Sequence, residues 1–280
     1  MKTIFLKLFV LCCLGCTTLQ AKPVKVVIDQ PVIPVLTLKE ANPVLRLELI
    51  KSGMDTEKVK EIVCSLKGTT EYADIESLCL YAATSNGFMS VDEPLTPAQK
   101  PTAKVVFKNP LVLKADTTIV WVAVRLKDKV DLSHRVTVGC TSVQTTEGKA
   151  ELVLEGPLTS LRTGVAVRQY NQDGVNTSRI PGIATSKKGT LLALYDARYE
   201  SSRDLQGHMD IAMNRSFDGG ATWQPMQIVL DMKQWGGLPE KYNGVSDACI
   251  LVDDTTGDIY IAGLWMHGVL DGRLASGWKE

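Results

Sequence analysis

Neither sign of charge is in excess. Lys and Arg together number 31, Asp and Glu number 31, and the formal net charge is zero. Nucleic-acid binders carry a basic surplus or stripe, so that class of partner is excluded. No second long apolar run follows the one at the N-terminus, so no internal membrane span is expected. Among Cys64, Cys79, Cys140 and Cys249 no CxxC pair occurs, and His and Cys lack the spacing of a metal site. Aromatic residues make up only 6% of the chain. Helical periodicity is weak, and its best stretch is Thr56 to Val63.

What is present suffices for one large domain or two modest ones: 280 residues, 45% of them hydrophobic. The N-terminus reads as an export signal over residues 1–21. Lys2 and Lys7 are its basic residues, and Ile4 to Leu14 form a short apolar run, shorter than the roughly 20 residues that span a bilayer. Two processing routes stay open. Cleavage after Ala21 would release a free protein, periplasmic or extracellular. Cys13-Leu14-Gly15-Cys16 resembles a lipoprotein box, and lipidation of Cys16 would anchor the chain to the outer membrane. Beyond the signal, Cys64, Cys79, Cys140 and Cys249 read as small buried hydrophobes. A Cys64–Cys79 disulfide is the alternative that an exported compartment permits.

Residues 22–165 read as one all-β unit. Short β-branched runs at Val24 to Ile28, Val32 to Leu38 and Leu45 to Ile50 are broken by Pro31, Pro34 and Asn42-Pro43. Ala103 to Phe107, Thr118 to Leu126 and Arg135 to Gln144 continue the pattern. The run from Ile119 to Val124 predicts a strand buried on both faces. Many strands with polar turns predict a β-sandwich. A linker is expected over 166–178. The rhythm then tightens: Arg179 to Thr185, Thr190 to Arg198, His208 to Arg215 and Trp223 to Leu230 are four closely spaced strands. That is the strand content of one β-propeller blade. Asp247 to Val252 and Asp258 to Trp265 begin a second blade.

Ser216-Phe217-Asp218-Gly219-Gly220-Ala221-Thr222-Trp223 fits the pattern S-x-D-x-G-x-x-W, the Asp-box. Asp218 can accept bonds from turn amides, the glycines tolerate positive φ, and Trp223 can bury area between blades. The motif identifies a scaffold and carries no chemistry. Upstream stands Arg179-Ile180-Pro181. Together with the intervening Tyr195-Asp196-Ala197-Arg198 and Ser201 to Leu205, the pair resembles the start of a bacterial sialidase (neuraminidase) catalytic domain. The resemblance covers residues 176 to 280.

The resemblance implies an exo-α-sialidase that releases terminal sialic acid from glycoproteins, gangliosides and oligosaccharides. It implies no metal or organic cofactor. Sialic acid bears a carboxylate, and Arg binds carboxylates bidentately. The R-I-P match makes Arg179 a clamp for it. By the same likeness Asp204 is the general acid/base, Arg198 lies at the pocket wall and Asp247 meets the N-acetyl group. Trp265, Met266 and His267 are weaker pocket candidates. Sialidases use a Tyr nucleophile, and Tyr195, Tyr199, Tyr242 and Tyr260 come too early to supply it. The implied architecture is an N-terminal β-sandwich, an accessory domain, followed over 179–280 by the first one to two blades of a six-bladed β-propeller. The chain stops at Glu280 before such a domain is finished, so alone it is expected to be nearly inactive. The alternatives are a non-catalytic glycan-binding protein and a trans-sialidase.

Overall fold

The structure, a computed structural model, describes residues 23–51, 53, 56–204, 207–268 and 278–279. The export signal expected over 1–21, and Cys16 with it, lies outside the described residues. In chain order the first strands are β1 (Lys25–Asp29), β2 (Val35–Thr37), β3 (Asn42–Ile50), β4 (Glu57–Ser65), β5 (Ile75–Ala83) and β6 (Met89–Pro94). They continue as β7 (Lys104–Leu113), β8 (Thr117–Leu126), β9 (Arg135–Val136), β10 (Gly139–Thr145), β11 (Glu151–Leu154) and β12 (Leu161–Val165). A six-stranded sheet runs β11-β1-β3-β8-β5-β6, and a three-stranded sheet runs β10-β4-β7. One continuous core joins them, with Leu47 and Val122 from the first and Ile62 and Phe107 from the second. This is a sandwich, as the alternation of apolar residues predicts. β8 sits centrally between β3 and β5, and Val120 to Val124 are all buried.

Two sequence expectations change. Thr56 to Val63 is not helical: Glu57 to Val63 lie in β4, paired with β7 and β10. The Cys64–Cys79 pairing also fails. Cys64 lies in the core, whereas Cys79 lies between the buried Leu78 and Leu80 and so points from the other face of β5.

A third sheet, β2-β12-β9, leads to the connecting segment. There Arg168 pairs with Asp173 and lies over the Tyr195 ring, and Gln169 donates to the Leu38 carbonyl. The remaining strands are β13 (Thr177–Thr185), β14 (Leu191–Arg198), β15 (Met209–Ser216), β16 (Gln227–Leu230), β17 (Asn243–Val252), β18 (Ile259–Gly268) and β19 (Trp278–Lys279). β13 to β16 form an antiparallel four-stranded blade, with β14 central and buried. β17 and β18 open the next one.

The turn after β15 explains its own sequence. Ser216 Oγ receives the Gly220 N–H at 2.8 Å and donates to Asp218 at 2.8 Å. Asp218 in turn accepts the Thr222 N–H at 2.9 Å and the Thr222 hydroxyl. Gly219 and Gly220 have φ of 72° and 96°. The turn packs near the sandwich: Asp218 and Thr222 line a cavity of about 200 Å³ with Thr37, Lys129 and Val130.

Candidate active site

Two strands carry the same local device. In β13, Arg179 pairs with Asp196 and Gly182 with Leu194, so Ile180 and Pro181 oppose the single residue Tyr195. That is a β-bulge, and Ile180 adopts φ of 53°. Pro181 has no N–H to give, so the bulge is where a strand tolerates it. In β17, Ser246 pairs with Leu264 and Cys249 with Ala262, so Asp247 and Ala248 oppose Gly263. Asp247 there has φ of 53°. Gly263 is required, because a Cβ would stand 2.8 Å from Val245 Cγ1. Left-handed backbone at Ile and Asp carries a cost of order 1 kcal/mol or more each. The first strands of successive blades therefore hold matching kinks at Arg179-Ile180 and at Ser246-Asp247.

These kinks lie near one end of the sheet. Arg198 at the end of β14 pairs with Met209, which pairs with Gly244, which pairs with Met266. The connection from β14 to β15 leaves from that end and carries Asp204. Arg179 Nη1 donates to Asp204 Oδ1 at 2.8 Å and to the Ser202 carbonyl at 3.1 Å. Arg198 Nη1 reaches the same Asp204 oxygen at 2.7 Å and the carbonyls of Ser202 and Arg203 at 3.1 and 2.7 Å. Two guanidinium groups thus converge on one carboxylate.

Their surroundings differ. The Arg179 side chain is 40% exposed and the Asp204 side chain 74%, whereas that of Arg198 is only 2% exposed. Arg198 also donates from Nη2 and Nε to Asp196 Oδ2, at 2.8 and 3.3 Å. With its donors engaged and its surface covered, Arg198 as placed positions Asp204 rather than facing solvent. Asp196 is fully buried, and its other oxygen accepts the backbone N–H of Asp247 at 3.0 Å. It ties the β17 kink to the β14 pair. The sequence reading missed Asp196. The signal was there: residues two apart on a strand share a face, so Asp196 and Arg198 had to lie side by side.

The hydrogen bond from Arg198, with Arg179 alongside, holds the Asp204 carboxyl below the usual carboxylate range. Burial pushes Asp196 up against the pull of Arg198. Asp247 is exposed. The structure thus brings Arg179, Arg198 and Asp204 into direct contact and joins Asp247 through its backbone. Trp265, Met266 and His267 end β18 at the same end of the sheet. Trp235 meets Trp265 edge-on at 4.9 Å and stands 4.5 Å from His267.

The tyrosines of the blade are committed elsewhere. Tyr195 donates to Asn214 at 2.6 Å, and burial pushes its phenol up to about 12. Tyr199 donates to Asp210 at 2.9 Å and is also pushed up by burial. Neither is poised as a nucleophile.

Residues 24–97 match the family described as the N-terminal domain of BNR-repeat neuraminidase. The chain is 32% identical over 276 residues to a sialidase of Bacteroides fragilis (strain YCH46), a match covering 89% of this chain and 50% of that protein. A sialidase of Micromonospora viridifaciens is 37% identical over 89 residues, 32% of this chain and 13% of that protein. Among solved structures, Hadza microbial sialidase Hz136 aligns with a TM-score of 0.73 and 26% identity, covering 88% of this chain and 52% of that one. The chain thus spans about half the length of the Bacteroides protein and of Hz136.

Proposed function

We propose that this chain, a relative of the bacterial sialidases in sequence and in fold, carries the first part of an exo-α-sialidase site. The reaction is hydrolysis of terminal sialic acid from glycoproteins, gangliosides and oligosaccharides. The observation that carries the reading is the convergence of Arg179 and Arg198 on Asp204. The export signal read at residues 1–21 puts the substrates outside the cytoplasm. Residues 22–165 serve as an accessory sandwich.

The electrostatics suggest an order of events. In the free site two cations face two carboxylates, Asp196 and Asp204, and Asp204 is ionised. A general acid needs a proton. The incoming substrate carboxylate competes for Arg179, the more exposed guanidinium. As Arg179 turns to the substrate, Asp204 loses that partner and gains an anionic neighbour. Both changes raise its pKa. Asp204 then takes up a proton and can pass it to the leaving glycosidic oxygen. In the second half of the reaction the Asp204 carboxylate removes a proton from the attacking water. Arg198 holds the Asp204 loop, and it meets the sugar where that loop withdraws from it. The Asp247 carboxylate, exposed on the next blade, is the acceptor for the substrate's amide N–H.

Binding of a sialoside to the protein as its source makes it tests the clamp. Arg179→Ala is expected to weaken affinity by about tenfold to a hundredfold, the scale of one charge-assisted pair. Unchanged affinity in that variant removes Arg179 from the site.

A further inference from the structure

Cys64 on β4 and Cys140 on β10 are directly opposed across two antiparallel strands. Opposed residues in such a pair have Cα atoms about 4.5 or 5.5 Å apart, and both values lie inside the range a disulfide spans. Cys64 belongs to the sandwich core and Cys140 packs against that core, so the two thiols share one face of the sheet. Cys64 is fully buried, while Cys140 keeps part of its surface accessible. No other cysteines among the described residues are so placed. Cys79 opposes Ala123, and Cys249 opposes Ala262.

We propose that Cys64 and Cys140 are a disulfide pair, closed by exchange with a small disulfide oxidant such as oxidised glutathione. The structure holds them as neighbouring free thiols, the reduced form. The order of attack follows from access. The Cys140 sulfur, the reachable one, attacks one sulfur of the oxidant as thiolate. The oxidant's S–S bond breaks, a mixed disulfide forms on Cys140, and the released thiolate takes up the proton Cys140 lost. Cys64 then gives up its proton and attacks Cys140 Sγ, expelling the second small thiol. Two protein thiols are oxidised, and one oxidant disulfide is reduced to two thiols. The neighbouring Cys64 thiol pulls Cys140 down, and Cys140, with burial, pushes Cys64 up, which suits Cys140 to the first step.

The bond would staple the middle strand of the three-stranded sheet to its neighbour and close the long loop from β4 to β10. Closing such a loop restricts the unfolded chain, and an oxidising compartment keeps the bond made.

The test is peptide mapping of the full chain after incubation with oxidised glutathione, alkylation of free thiols and digestion without reductant. The expected result is a cross-linked peptide joining Cys64 to Cys140, and a Tm raised by roughly 5–15 °C over the reduced protein. Cys140→Ser should leave Cys64 alkylated after unfolding and abolish the oxidant's effect on Tm. Cys79→Ser should leave both results intact. The proposal is overturned if Cys64 and Cys140 remain alkylatable in the oxidised wild type, if glutathione stays attached to Cys140, or if Cys64 is found joined to a different cysteine. Because the wild-type map decides the matter alone, poor folding of a variant does not blunt the test.

Discussion

At the residue scale, the site is an ion-pair network with one buried end and one open end. Arg198 and Asp196 form the buried end, and Arg179 and Asp204 the open one. The two ends answer to different measurements. Removing Asp196 leaves the buried Arg198 guanidinium short of two hydrogen bonds and releases the Asp247 amide. Asp196→Ala is therefore expected to cost about 3 kcal/mol of stability, the scale of a broken buried pair. Thermal or urea unfolding reads this directly, and a change below about 0.5 kcal/mol contradicts the network. Arg179, Arg198 and Asp204 could be named from the chain because short motifs carry them. The pairing of Asp196 with Arg198 follows from their spacing on one strand, but its tie to the Asp247 amide, across 51 residues of sequence, does not.

At the element scale, the strand rhythm of both units could be read from the chain, while irregularities hid the rest. β4 imitated a helix because its register slips beside Lys60, between the pairs Val59 with Thr145 and Glu61 with Gln144. The buried positions then run from Val59 to Ile62, a helix-like spacing of three. The bulges at Ile180 and Asp247 were likewise invisible, since Ile is a residue that disfavours positive φ. The turn from Ser216 to Trp223 was the opposite case, because the side-chain polar groups of Ser216, Asp218, Thr222 and Trp223 serve the turn itself. Its hydrogen bonds predict a pH dependence. The Thr222 hydroxyl and amide and Ser216 hold the Asp218 carboxyl at about 2, below the unfolded value near 4. A depressed carboxylate contributes stability above the unfolded pKa and loses it as pH falls through the folded one. Stability should therefore fall between about pH 4 and pH 2, and Asp218→Asn should flatten that part of the curve. An identical acid limb in the variant rules the turn out as its source.

At the scale of the whole molecule, the sandwich has a closed core and the blades do not. β17 and β18 leave Leu251, Ile259, Tyr260 and Leu264 exposed, and β13 leaves Ile183 exposed. Neighbouring blades of a propeller cover such faces. The chain as given is expected to bind a hydrophobic dye and to associate as its concentration rises. Clean monomeric behaviour with no dye binding contradicts that. The claim at the centre of the account is that Asp204 is the proton donor and acceptor of a sialidase site. The most direct measurement is release of free sialic acid from a sialylated glycoprotein by the protein as its source makes it, beside its Asp204→Asn variant. The account predicts release by the first and a loss of about a hundredfold or more in the second. Full turnover in Asp204→Asn contradicts it.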